Sequence, residues 1–470
     1  MVGVWIAYAQ WLLPAWKIFI HSDNAVPYIM TIEPWIKQDF YYWDAERFGA
    51  VYMVFWKALG QKIFGASPEA FFRFFFAFFF VGTAFFLAAI RSWVLGVLFF
   101  LLLIPLHLGR IDEFLYPGHV YGTLYFFNGV IAYLLLSRER LGILACVTAG
   151  VVCALAYWQH MLDGALLVLL VALKILHGEK WLSKEMVTKT LAFGIPSGTL
   201  FVLIEWTRRW AREWDEPVAF NFEDWRNFVR NMRDFFAKGF AFHTGPAFGL
   251  SLLVCLVVGV IILRKTWPKE GRAGFERWFI RAIFYAGIAF VFFFNAHFHY
   301  RANERHERYF AFIVPLLLLA IGLMAVVGDN GEQKRLHRRF AYGSMVLLSI
   351  LSLYRNLIDR TDTLFDSGKI VALASETRDV EHQTEILAQR GCQGVLDDYW
   401  RAYRLVVFGP QRLKASGANS IRNPIYFDTI SQGDQLCIGD RFYNDLVVPK
   451  SSTHLCKKID FDYWHCTKNA

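Results

Sequence analysis

The chain has 470 residues, 56% of them hydrophobic and 18% aromatic with only 19% charged. Its mean hydropathy is positive, which excludes an ordinary soluble domain and points to a polytopic membrane protein. The formal net charge of +9 does not point to nucleic acid, because the basic residues are spread through loops between apolar runs, where anionic membrane lipids account for them.

Residues 2–20 are apolar and long enough for a first span, retained because no short apolar region with a small-residue cleavage site is present. Residues 21–49 then bring Asp23, Glu33, Asp39, Asp44, Glu46 and Arg47 among Trp35, Phe40, Tyr41, Tyr42 and Trp43. Aromatic rings belong at a membrane interface, whereas carboxylates there are costly and usually have a task. Residues 51–64 are apolar at helical spacing but interrupted by Lys57 and Lys62, which reads as a helix lying on the membrane surface within an outer loop over 21–70.

Further spans are expected at 71–90, 93–108, 119–136, 141–158, 165–175, 190–206, 248–263, 278–296, 309–327 and 342–353, about eleven crossings with the first, in a transmembrane domain over 1–355. With the amino terminus inside, the basic loops at 137–140, 179–189, 264–277 and 328–339 all fall inside, as positive charge prefers. An outer loop at 207–245 carries seven basic residues diluted by six acidic ones, and Trp206, Trp210 and Trp214 at i, i+4 and i+8 describe an amphipathic helix in the interface.

Residues 356–470 are more polar, with turn signals and a β-like run from Arg404 to Phe408, and read as a small α/β domain on the outer face. Cys146, Cys153 and Cys255 lie in apolar spans as small core residues. Cys392, Cys437, Cys456 and Cys466 cluster in the last domain, where two disulfides in an oxidising compartment are expected, with three pairings open; a zinc site is the alternative, though no CxxC pair is present.

Three constellations could carry chemistry. Asp23 with Asp44 or Glu46 could divide labour between an ionised general base and a partner paired with Arg47; the plainer reading is that Asp23 caps a helix starting at Asn24 or Ala25 and that Asp44 and Arg47 form a surface pair. His297, Arg301, Arg305 and Arg308 are spaced four, four and three, so that on a helix they form one cationic stripe suited to a phosphate. Glu304 and Glu307 could instead neutralise those arginines, and His297, His299 and His306 could ligate a metal. Asp112, Glu113 and His119 sit at another expected outer loop, either lining the same cavity or solvating a turn at Pro117 and Gly118, and His160 with Asp163 reads as a local polar pair at a tight hairpin.

The run S-D-N-A at 22–25, W-D-A-E-R-F-G-A at 43–50, the F-G-A-S-P break at 64–68 and the aromatic span after it resemble the first outer loop of the GT-C glycosyltransferases. R-Y-F-A-F-I-V-P-L-L-L-L at 308–319 resembles that family's late span, and G-V-L-D-D-Y-W-R-A-Y-R-L at 394–405 is similar to the start of the small extramembrane domain in its bacterial members. The resemblance implies an all-α polytopic bundle with a C-terminal α/β domain in the bacterial inner membrane, the latter on the periplasmic face. It implies an enzyme that takes a sugar from a polyprenyl-phosphate donor, with Asp23 as catalytic base and Asp44 or Glu46 assisting. The acceptor would be a glycan, lipid or protein, no cofactor or metal is expected, and the arginine stripe would steady the departing phosphate. This chain departs from the paired acidic motif seen in some members, since Asn24 follows Asp23. A transporter or flippase of a lipid-linked or anionic solute is the competing class, but the internal repeat common in transporters is not visible.

Overall fold

The structure is a computed structural model that describes residues 17, 20, 22–32, 62, 67–90, 92–99, 102, 120–211, 229–230, 246–264, 272–296, 313–327, 331–358, 367–409, 413–419, 424–443, 454–460 and 463–468. A helical bundle is followed by a small α/β unit. The bundle helices are α1 (Ser22–Ile32), α2 (Pro68–Ala89), α3 (Val120–Ser137), α4 (Ile143–Gln159), α5 (Met161–Gly178), α6 (Lys184–Ala211), α7 (Pro246–Arg264), α8 (Arg272–Ala296), α9 (Val314–Leu323) and α10 (Gly331–Ile358).

Helix α2 shows how local sequence sets an element. Ser67 accepts a hydrogen bond from the Ala70 amide at 3.1 Å, Pro68 opens the helix and Glu69 lies in its first turn, all favourable to a helix start. Its 22 residues span roughly 33 Å at 1.5 Å per residue, about the thickness of a hydrocarbon core. Among the described residues, Pro68–Ala89 and Lys184–Thr207 are long and apolar enough to cross a membrane unaided, and Gly122–Ser137, Ile143–Gln159, Gly249–Leu263 and Val314–Leu323 are shorter apolar helices. The expected first span at 2–20 and the surface helix at 51–64 lie outside the described residues except at Lys17, Ile20 and Lys62.

Helices α2 and α3 run parallel in close contact. Phe78 meets Phe126, Phe85 meets Tyr133, and Tyr125 lies against both Phe79 and Phe86. Two glycines permit this approach, since a Cβ on Gly129 would fall 2.6 Å from the carbonyl oxygen of Gly82. In a bilayer, where tails are as apolar as side chains, such close backbone packing and aromatic contact hold helices together. Three of the basic loops expected on one side do meet at one end of the bundle: Lys174 Nζ donates to the Arg138 carbonyl at 2.9 Å and sits 4.0 Å above the Phe275 ring, and Lys184 and Lys189 of the 179–189 loop line one groove with Arg140.

The C-terminal unit comprises α11 (Ser367–Gln389), β1 (Gly394–Asp397), α12 (Tyr399–Phe408), β2 (Lys414–Gly417), α13 (Pro424–Ser431), β3 (Gln435–Gly439), α14 (Asp440–Tyr443), β4 (His454–Asp460) and β5 (Tyr463–Lys468). The sheet order is β2-β1-β3-β5-β4; β1 is parallel to both β2 and β3, and β5 is antiparallel to β3 and β4. Cys392 pairs with Cys437 and Cys456 with Cys466, so the four cysteines form the expected disulfides and not the zinc site. The β-like reading of Arg404 to Phe408 is corrected: these residues are the last five of α12. The valines favour a strand locally, but Tyr399, Ala402, Tyr403 and Val406 repeat at i, i+3, i+4 and i+7 and are buried together, which is the helical period.

Candidate active site

The site is built around α1. Ala25 to Thr31 are all buried, and the Tyr28 ring packs edge-on against Phe71 at 5.5 Å and beside Phe72 at 6.1 Å, fixing α1 to the start of α2. On another side α1 packs on α12 of the C-terminal unit. Lys17 Nζ, five residues before the helix, pairs with Glu381 Oε1 of α11 at 2.7 Å. The chain emerging from the first expected span is thus held between the bundle and the C-terminal unit.

Asp23 is the second residue of α1. The helix begins at Ser22, one residue ahead of Asp23, and the capping reading needed it to begin one or two residues after. Pro27 lies inside α1 and has no N–H to give the carbonyl of Asp23, four residues earlier. The other expected site residues, Asp44, Glu46, Arg47, Asp112, Glu113, His119, His297, Arg301, Arg305 and Arg308, lie outside the described residues. In sequence, His119 immediately precedes α3 and His297 immediately follows α8.

The support for α12 comes from the carboxyl ends of the parallel strands, where strand order reverses about β1 and side chains from several elements converge. Asp397, the last residue of β1, accepts from Tyr463 Oη at 2.5 Å and from the Asp398 amide at 2.8 Å, with Arg401 Nε at 3.7 Å. Burial pushes its carboxyl above the usual carboxylate range, against the pull of those donors. Asn419 donates to Asp398 and accepts from the Tyr399 amide, both at 2.8 Å, so it caps the start of α12. The D-D-Y-W segment is therefore a structural joint that orients the helix on which α1 rests. Nothing in the spacing alone reveals this, because Tyr463 is 66 residues away.

A second polar cluster lies within the bundle. His160 Nδ1 accepts from the Asp163 amide at 3.3 Å, the local hairpin pair expected from the sequence. Gln159, Asp163 and, across on α3, Asn128 are fully buried as well, and Asn128 faces the Asp163 carboxyl. The sequence signal for this was the rarity of such groups inside apolar helices, though their convergence from α3, α4 and α5 was not readable.

No protein-family model and no curated protein matches the chain. Among solved structures it is similar to ArnT from Cupriavidus metallidurans bound to undecaprenyl phosphate, with a TM-score of 0.53 at 12% identity over 100% of this chain and 98% of that one. It is similar also to the apo state of the same protein, with a TM-score of 0.52 at 12% identity over 99% and 97% of the two chains. The likeness runs through bundle and C-terminal unit alike, and the chain has the GT-C fold of those structures.

Proposed function

We propose that the chain is an integral inner-membrane glycosyltransferase that moves a sugar from a polyprenyl-phosphate donor to an envelope glycan, lipid or protein on the outer face. The observation that carries this reading is the full-length likeness to a structure bound to undecaprenyl phosphate. The placement of Asp23 supports it further: it sits in the first turn of a helix clamped between the bundle and the C-terminal unit, and a helix N-terminus favours negative charge.

In this mechanism Asp23 takes the proton from an acceptor hydroxyl as its oxygen attacks the anomeric carbon. The bond from that carbon to the phosphate oxygen breaks, and the configuration inverts. Negative charge gathers on the leaving phosphate, and Arg301, Arg305 and Arg308 stabilise it electrostatically. Asp44 or Glu46 assists Asp23, and Arg47 balances the acidic pair.

The test is Asp23→Asn in cells and membranes that carry the modification. General-base loss lowers transfer about 100-fold or more, with membrane abundance unchanged. Transfer retained at the wild-type rate would exclude Asp23 as the base.

A further inference from the structure

At the end of the bundle away from the C-terminal unit, a groove of ≈ 610 Å³ opens between the loop before α4 and the first turns of α6. Its position follows from the helices: α2 begins beside Tyr28 of α1, and α3 runs parallel to α2 and ends at Ser137. Arg140 therefore lies about one α2 length, roughly 27 Å from Phe71 to Ala89 at 1.5 Å per residue, from the contact between α1 and α12.

The walls of the groove are of two kinds. Arg140 and Lys184 are exposed cations on its rim. A third, Lys189, is buried and already paired with Glu179 at 2.5 Å and Glu185 at 2.8 Å. Glu185 also faces the groove and lies within the field of both Lys189 and Arg140, so three cations stand against the two carboxylates Glu179 and Glu185 and the groove keeps one positive charge in excess. The amino end of α4 adds to this, since Gly142 provides no side-chain cap and the space beside it is open. Ile143, 56% exposed, lines the groove; Leu144, 79% exposed, follows it on α4, and Leu191, 53% exposed, lies three residues beyond the lining Thr188 on α6, so apolar side chains continue from the groove along both helices. A cationic rim continued by exposed aliphatic side chains matches the two halves of a phospholipid.

We propose that this groove binds the headgroup of an anionic phospholipid, its phosphate between Arg140 and Lys184 and its acyl chains along Ile143, Leu144 and Leu191. The site is distinct from the one at α1 and needs only that the bundle sits in a membrane, so its failure leaves the sugar-transfer reading untouched. A free phosphate would use the rim alone, whereas the apolar wall is used only by a lipid.

Native mass spectrometry of the purified full chain, titrated with phosphatidylglycerol or phosphatidylcholine, tests this. Phosphatidylglycerol binds at least tenfold more tightly, Arg140→Gln with Lys184→Gln removes about tenfold of that preference, and phosphatidylcholine binding and melting temperature stay unchanged. Lys334→Gln with Arg335→Gln, the same charge loss at exposed positions of α10 outside the groove, leaves phosphatidylglycerol binding as in the wild type. Millimolar inorganic phosphate does not displace the lipid. Equal loss in both double variants, no loss in the first, or displacement by phosphate would each overturn the proposal.

Discussion

Lys17 Nζ and Glu381 Oε1 lie 2.7 Å apart although 364 residues separate them in the chain. One belongs to the approach to α1 and the other to α11, so the segment leading into α1 is tied to the C-terminal unit. Both side chains are substantially exposed, at 52% and 33%, and such pairs contribute little, roughly 0.2–1 kcal/mol. The apolar contact of α1 with α12, and not this ion pair, therefore carries the junction.

The close approach of α2 and α3 gives a direct stability prediction. A methyl group on Gly129 meets the Gly82 carbonyl at 2.6 Å, and backbone cannot yield as a flexible side chain can. Gly129→Ala should destabilise the bundle by about 1–3 kcal/mol, the usual cost of overpacking. Gly198→Ala on α6, where nothing lies within 4 Å of the added carbon, should leave stability equal or higher, since alanine favours a helix over glycine. Thermal melts of the purified variants decide it, and an unperturbed Gly129→Ala would contradict the packing.

The two disulfides should differ in weight. The Cys392–Cys437 bond closes 45 residues and Cys456–Cys466 only 10. By loop entropy these correspond to about 4 and about 2.7 kcal/mol at 25 °C. Replacing Cys392 and Cys437 with serine should accordingly lower resistance to proteolysis of the C-terminal unit more than replacing Cys456 and Cys466. The reverse order would show that strand pairing, and not chain closure, dominates there.

Much of this architecture was legible from residue order. Most helices of the bundle fall on apolar runs, although among the described residues only Pro68–Ala89 and Lys184–Thr207 are long and apolar enough to cross a membrane, and the cysteine cluster gave two disulfides, because span length and compartment chemistry are local properties. Helix ends were less legible: α6 begins at Lys184 and α10 at Gly331, well before the apolar stretches at 190 and 342, because a helix continues past its apolar stretch into charged sequence such as EQKRLHRR. Residues 404–408 were misread because five residues cannot distinguish the period of two from that of 3.6. The contact of α1 with α12 and the Asp397–Tyr463 bond were invisible, since both depend on chain returning from far away. Of the candidate site, Asp23 falls in the first turn of α1, while the arginine stripe and, but for Lys17 and Ile20, the expected span before α1 lie outside the described residues.

Asp397 gives a pH signature in the C-terminal unit. Burial raises its carboxyl in the folded state above the ordinary value of 3.8, so the folded protein holds this proton more tightly than the unfolded chain. Stability from this group is therefore greatest below the unfolded value and declines as pH rises from there through the folded value. Removing the Tyr463 donor by Tyr463→Phe should raise the carboxyl further and extend that decline to higher pH, whereas Asp397→Asn should abolish it. Melting temperatures of the full chain between pH 4 and 8 measure this, and identical pH slopes for wild type and Asp397→Asn would contradict the assignment.

The central claim is that one acidic side chain on α1 faces a cationic patch from 301–308 across a lipid phosphate. Cryo-electron microscopy of the full chain in lipid nanodiscs, saturated with undecaprenyl phosphate, tests it most directly. The account predicts phosphate density in a single cavity bordered by Asp23 and Arg308. Density elsewhere, or Asp23 and Arg308 opening into separate compartments, would contradict it.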